Sequence, residues 1–117
     1  MKTLTIKADV KIIDEFDRLR KKLLETKYKI YSNTYLSDML IKEMIRLHNG
    51  IWIDEEITDI KRLCLYVEDY SYKLWMATVW RDKKRPDRVQ VRSTQLMKIG
   101  IKIMQTAIAE MEAKRCQ

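Results

Sequence analysis

Chemistry in this sequence rests on hydrogen-bonding and charged side chains rather than on a reacting centre. Thr3, Thr5 and Lys7 alternate with Leu4 and Ile6. Two hydroxyls and an ammonium therefore fall on one face of the N-terminal segment, and two aliphatic side chains on the other. Ser32, Asn33 and Thr34 form a second polar group, each able to cap a helix. The run Arg81 to Arg88, with Lys83, Lys84 and Arg85 inside it, is a third. It reads as a solvated loop or as a contact to phosphates. Catalysis has little to draw on. The single histidine, His48, lies at the end of an expected helix, where a dipole or surface role accounts for it. Cys64 and Cys116 have no metal-type spacing, and there is no glycine-rich phosphate loop or nucleophile elbow. The carboxylates gather at helix starts, where capping explains them. The expectation is a protein that is not an enzyme, with no catalytic residues, no metal site and no cofactor.

The whole composition fits a small folded unit with a charged partner. A chain of 117 residues, 46% hydrophobic, is one domain or one domain with an appendage. Two glycines and one proline leave room for few turns, which favours a few long helices. The net charge of +7 favours a polyanion, nucleic acid or an anionic surface. That charge is not uniform: residues 1–50 carry +4, residues 54–69 carry −4 and residues 81–102 carry +6. No signal-peptide pattern opens the chain, and no apolar run approaches the roughly 20 residues of a membrane span. A cytoplasmic protein with reduced thiols is expected.

The elements follow from periodicity. Residues 3–7 read as a strand. Asp9 caps a helix over about 10–27, with Val10, Ile13, Phe16, Leu19 and Leu23 on one face. A second helix follows Ser32–Thr34 and ends at Asn49-Gly50. Its apolar arc is wide enough to pack on two sides. The first half offers the strand no partner, so the same strand of a second copy is the nearest one. After the apolar strap Ile51-Trp52-Ile53, Asp54 is expected to cap one long helix from 55 to about 80. It is rich in aromatics, which suit packing or an oligomer contact. After the charged loop around Pro86, Ser93 or Thr94 is expected to cap a last helix to about 113. The predicted class is mainly α with one N-terminal β-strand.

The strand Thr3-Leu4-Thr5-Ile6-Lys7, the Val10/Phe16/Leu19 stripe and the segment Ser32-Asn33-Thr34-Tyr35-Leu36-Ser37-Asp38-Met39-Leu40 together resemble a ribbon-helix-helix DNA-binding protein. The resemblance covers residues 1–49 and departs in lacking a glycine between the helices. It implies a homodimer or higher homo-oligomer whose paired strands enter the major groove of double-stranded DNA. Thr3, Thr5 and Lys7 would then meet base edges, while Lys2 and the helix start at Ser32, Asn33 and Thr34 would hold phosphates. Lys83, Lys84, Arg85 and Arg88 would add a further DNA contact. A plain edge strand is the competing reading of residues 3–7. Residues 1–50 would be the DNA-binding and dimerisation domain. Residues 51–117 would be a helical extension for oligomerisation or a protein partner, or else a degenerate second ribbon-helix-helix. Two spacings fit a repeat poorly: Ser32 to Ser93 is 61 positions, Asp9 to Asp54 only 45. The expected function is a transcriptional regulator, a repressor. The alternatives are an accessory DNA-binding protein of plasmid transfer (a relaxosome component) or partition that recruits a protein partner, and an antitoxin-type adaptor.

Overall fold

The N-terminal alternation runs further than its first seven residues. In the computed structural model, which describes residues 1–25, 32–80 and 86–115, it forms β1 (Lys2–Asp9). Leu4, Ile6 and Ala8 are buried, while Thr3, Thr5 and Lys7 are exposed. Its partner lies in the same chain. Strand β2 (Ile60–Val67) runs antiparallel to it, in register from Lys2 opposite Val67 to Asp9 opposite Ile60. The expectation that only a second copy offers a partner is corrected by this pairing.

A second correction concerns residues 55 to about 80. They do not form one helix. Residues 51–59, Asp54 among them, carry no helix, 60–67 form β2, and α3 (Asp69–Val79) follows. The reason is visible in the side chains. Leu65 and Val67 are buried and Leu63 half-buried, while Arg62, Cys64 and Tyr66 point out. Strand periodicity wins here because the apolar sides of β1 and β2 form a single face that one helical layer covers.

The remaining helices are α1 (Val10–Leu24), α2 (Asn33–Leu47) and α4 (Pro86–Arg115). Asp9 caps α1 as expected, its Oδ1 accepting from Lys11 N at 2.9 Å and Ile12 N at 3.2 Å. Ser32 caps α2, its Oγ accepting from Tyr35 N at 3.1 Å. The third correction is in α4. Its 30 residues, roughly 45 Å of helix, run straight through Ser93 and Thr94. Both are buried in mid-helix and cap nothing. Thr94 Oγ1 donates to Gln90 O at 2.8 Å and accepts from Asp9 N at 3.0 Å.

The element order is strand–helix–helix, twice. Asp9 and Glu68, which precede α1 and α3, stand 59 positions apart, as do the buried Phe16 and Trp75. Leu36 and Leu96, Ile41 and Ile101, and Met44 and Met104 stand 60 apart, and all are buried. Packing repeats the pattern: α4 lies on α1 and β1, α2 lies on α3 and β2, and α2 meets α4. Two hydrogen bonds do the same. Asp9 N donates to Thr94 of α4, and Glu68 N donates to Asp38 Oδ1 of α2 at 2.9 Å. Each corner between strand and helix is thus held by the second helix of the other half. One core runs from Leu4 to Ile108, and residues on both sides of position 50 build it.

Gly100 sits where α4 comes closest to its neighbours. A Cβ there would lie 2.5 Å from Met44 Sδ and 2.6 Å from the Phe16 ring. Met44 can turn aside, but the ring is enclosed in the core. Gly100→Ala is expected to destabilise the fold by about 1–2 kcal/mol, overpacking outweighing the gain of about 1 kcal/mol in helix propensity. Thermal unfolding checks this; an unchanged or higher midpoint would show that the helices separate freely at this crossing.

Candidate nucleic-acid interface

Three consecutive cross-strand pairs make the outward face of the ribbon, and a fourth, Asp9 opposite Ile60, closes it where Asp9 turns to cap α1. Thr3 lies opposite Tyr66, Thr5 opposite Cys64 and Lys7 opposite Arg62. All six are exposed and none is a carboxylate. At the centre Thr5 Oγ1 and Cys64 Sγ are 3.6 Å apart. Tyr66 leaves 55% of its surface in solvent, a large aromatic on the exposed face of β2. The face offers hydroxyl, phenol, thiol, ammonium and guanidinium groups on a backbone fixed by the ladder. It is a surface of donors with few acceptors, suited to an acceptor-rich or anionic partner.

What fixes the face lies beneath it. Leu4, Ile6, Leu65 and Val67 are essentially inaccessible, each contributing on the order of 1.5–3 kcal/mol by burial. A register slip of one residue would expose all of them and bury Lys7 and Arg62. The outward direction of the six side chains is thereby as secure as the core.

At the ends of the ribbon the surroundings differ. Near Thr3, Lys2 Nζ lies over the Tyr72 ring at 5.3 Å, and Thr34 Oγ1 approaches Met1 Sδ at 3.7 Å. The start of α2 therefore borders this end. The expected phosphate residues meet there in part. Ser32 Oγ is occupied as the cap, and the Asn33 side chain accepts from Arg20 Nη1 at 2.7 Å. Arg20 is buried and also donates to Asp17 at 2.9 Å. Its bonds tie α1 to the first turn of α2. The asset of this helix start is its backbone amides and dipole, more than its side chains. Beyond Lys7, Lys61 pairs with Asp14 at 2.6 Å, and this carboxylate raises the lysine's pKa.

Not every expected residue joins this surface. Lys83, Lys84 and Arg85 lie outside the described residues. Arg88 is half-buried on α4 and lines a cavity of about 560 Å³ with Trp52, Glu55, Glu56 and Arg92. No ribbon residue lines it. Arg62, Cys64 and Tyr66 are not among the expected site residues, because the sequence places them within the expected helix from 55 to about 80. Their signal was the strict alternation Arg62-Leu63-Cys64-Leu65-Tyr66-Val67, obscured because Ile57, Ile60, Leu63 and Val67 also fall at helical spacing.

The strap between the halves is anchored by stacking. The His48 ring lies 4.0 Å from the Trp52 ring at 26°, Arg92 approaches the indole at 5.3 Å, and Gln95 bonds Ile53 through both its backbone groups. Among the described residues no group of His, Cys, Asp and Glu is placed to hold a metal. No described helix is long and apolar enough to cross a membrane. Comparison with known proteins finds no family model, no curated protein and no solved structure that matches this chain.

His48 carries a pH dependence. Burial lowers its pKa below the ordinary value of 6.5, and its Nδ1 accepts from Gly50 N at 2.9 Å, which requires an unprotonated nitrogen. The unfolded chain takes up the proton first as pH falls. Stability is therefore full above about pH 6.5 and is lost as pH drops through the folded pKa. Urea midpoints at pH 7.5 and 5.5 are expected to fall more in the native protein than in His48→Gln. Equal losses in both would remove His48 from the effect.

Proposed function

We propose that this chain binds double-stranded DNA through the β1–β2 ribbon, in the manner of ribbon-helix-helix proteins, and regulates transcription by occupying its site, as a repressor. One observation carries the reading: a two-stranded antiparallel ribbon whose three pairs from Thr3–Tyr66 to Lys7–Arg62 expose six side chains without a carboxylate, the one acid of the ladder, Asp9, being engaged as the α1 cap, all backed by two pairs of helices. A two-stranded ribbon fits the major groove, where every base pair presents a distinct pattern of donors and acceptors. Lys7 and Arg62 can donate to guanine O6 and N7. Thr3, Thr5 and Tyr66 can exchange hydrogen bonds with base edges, and the threonine methyls can touch thymine. The amides at the start of α2 supply a backbone contact that fixes the depth of the ribbon, and Lys2, over the Tyr72 ring at the same end, adds a cation.

The unit that binds is a single chain, since both strands of the ribbon belong to it. A homodimer would then add a second ribbon rather than complete the first. The readings as a plasmid-transfer or partition accessory factor, or as an antitoxin-type adaptor, drew on a C-terminal half free to hold a protein. Here residues 60–108 share their core with residues 4–44, which leaves those readings less support than direct regulation.

Mobility-shift competition tests the proposal. Thr5→Ala and Lys7→Ala are each expected to reduce discrimination between a preferred duplex and random duplex by about 1–3 kcal/mol, with unfolding midpoints little changed. Equal weakening on both duplexes would reduce the face to a nonspecific charged surface.

A further inference from the structure

We infer that the site read by one chain is not self-complementary, with guanine under the Lys7–Arg62 end of the ribbon and A·T pairs under the Thr3–Tyr66 end. The inference rests on the DNA-binding reading above and specifies the class of sequence that reading would select.

A ribbon made from two copies of one strand has a two-fold axis through its centre. Its two ends are then identical, and it reads sites with the same symmetry. This ribbon has the same backbone arrangement without that identity. A two-fold through the central pair, Thr5 and Cys64, would exchange the two ends and relate Thr3 to Arg62 and Lys7 to Tyr66. None of the three equivalences keeps the residue type. Because the strands are antiparallel, the differences do not average out. Both cations fall at one end, directly opposite each other, and the threonine and tyrosine fall at the other.

The contrast with the interior matters. Leucine, isoleucine and methionine recur at equivalent places where the second helices pack, at 36 and 96, 41 and 101, and 44 and 104. The inner face of the ribbon likewise stays aliphatic in both strands. Among packed positions several keep their residue type, although Leu40 answers to Gly100 and Ser37 to Met97, whereas none of the three outward pairs does. No packing requirement explains the difference there, because these side chains touch mainly solvent.

The Lys7–Arg62 end is also unfavourable in the free protein. Like charges directly opposite on an antiparallel pair repel. Among the described residues, neither has a carboxylate within ion-pairing distance, while Asp14 nearby is taken by Lys61. A partner with two convergent acceptors relieves that repulsion, and guanine presents O6 and N7 together in the major groove. At the other end the Thr3 methyl and the Tyr66 ring offer apolar contact to the thymine methyl. The surroundings share the polarity. Repeat one starts its second helix at Ser32, beside the Thr3 end, whereas α4 continues upstream of the equivalent position, Arg92.

Selection of bound sequences from a random duplex library by the full chain tests this, followed by mass measurement of the complex on the enriched duplex. The expected motif lacks two-fold symmetry and is held by one chain. Lys7→Ala and Arg62→Ala are expected to relax the same end of that motif, each by about tenfold at a guanine, and Thr3→Ala and Tyr66→Ala the opposite end. All four side chains point outward, and circular dichroism melting confirms that the variants fold. A palindromic motif, or Lys7→Ala and Arg62→Ala relaxing opposite ends, would overturn the inference and leave DNA recognition standing. Enrichment of no sequence would overturn sequence recognition itself.

Discussion

The ladder between β1 and β2 is the constraint on which the molecule depends. It joins residues some sixty positions apart and brings the two halves of the chain into one body. Two strands alone are marginal in water, so the ladder requires the helical layer beneath it. The dependence is mutual. Helix α1 begins as β1 ends, and α3 begins shortly after β2. The backbone amide at each corner is held by a side chain from the opposite half, Thr94 on one side and Asp38 on the other. Neither half closes its own corner. The halves fold as a pair, with the second helices crossing at Gly100 and the strands aligned by the same contacts.

This arrangement separates two kinds of requirement on the sequence. Inward positions answer to volume and apolarity: Leu36 and Leu96, Ile41 and Ile101, and Met44 and Met104 match, Phe16 is exchanged for Trp75, and Leu40 gives way to Gly100 where the helices cross. Outward positions answer to nothing in the fold beyond remaining compatible with a strand. Threonine and tyrosine are good strand formers, and lysine and arginine keep the exposed edges from pairing with other chains. The outward face is thus free to vary in chemistry without disturbing the core.

Much of the first half could be read directly. The alternation at Thr3–Lys7 gave both the strand and its two faces, and Asp9 and Ser32 cap the helices that follow. The second half was opaque for definite reasons. A stretch of six to eight residues with Leu63, Leu65 and Val67 satisfies period two, yet with Ile57 and Ile60 it also satisfies the helical period. The acids Asp54, Glu55 and Glu56 imitate the first turn of a helix, while in the structure Glu55 instead meets Lys98 and Gln95 of α4. The repeat was hidden because its most conspicuous markers moved. Ser93 resembles Ser32 but lies inside a helix, and Asp54 resembles Asp9 although Glu68 holds the equivalent place without a side-chain cap. The true correspondence is in the buried pattern Ile41-Lys42-Glu43-Met44 against Ile101-Lys102-Ile103-Met104, which no local signal distinguishes from ordinary helix.

The strap from His48 to Asp59 has a consequence of its own. Strands supplied by separate molecules meet only as often as their concentration allows, and such a ribbon melts on dilution. Here β2 follows β1 in the same chain, after α1, α2 and a twelve-residue strap pinned to α4 through Trp52 and Ile53, so the two strands meet within one molecule. A cell holding a handful of copies would therefore keep every one of them assembled.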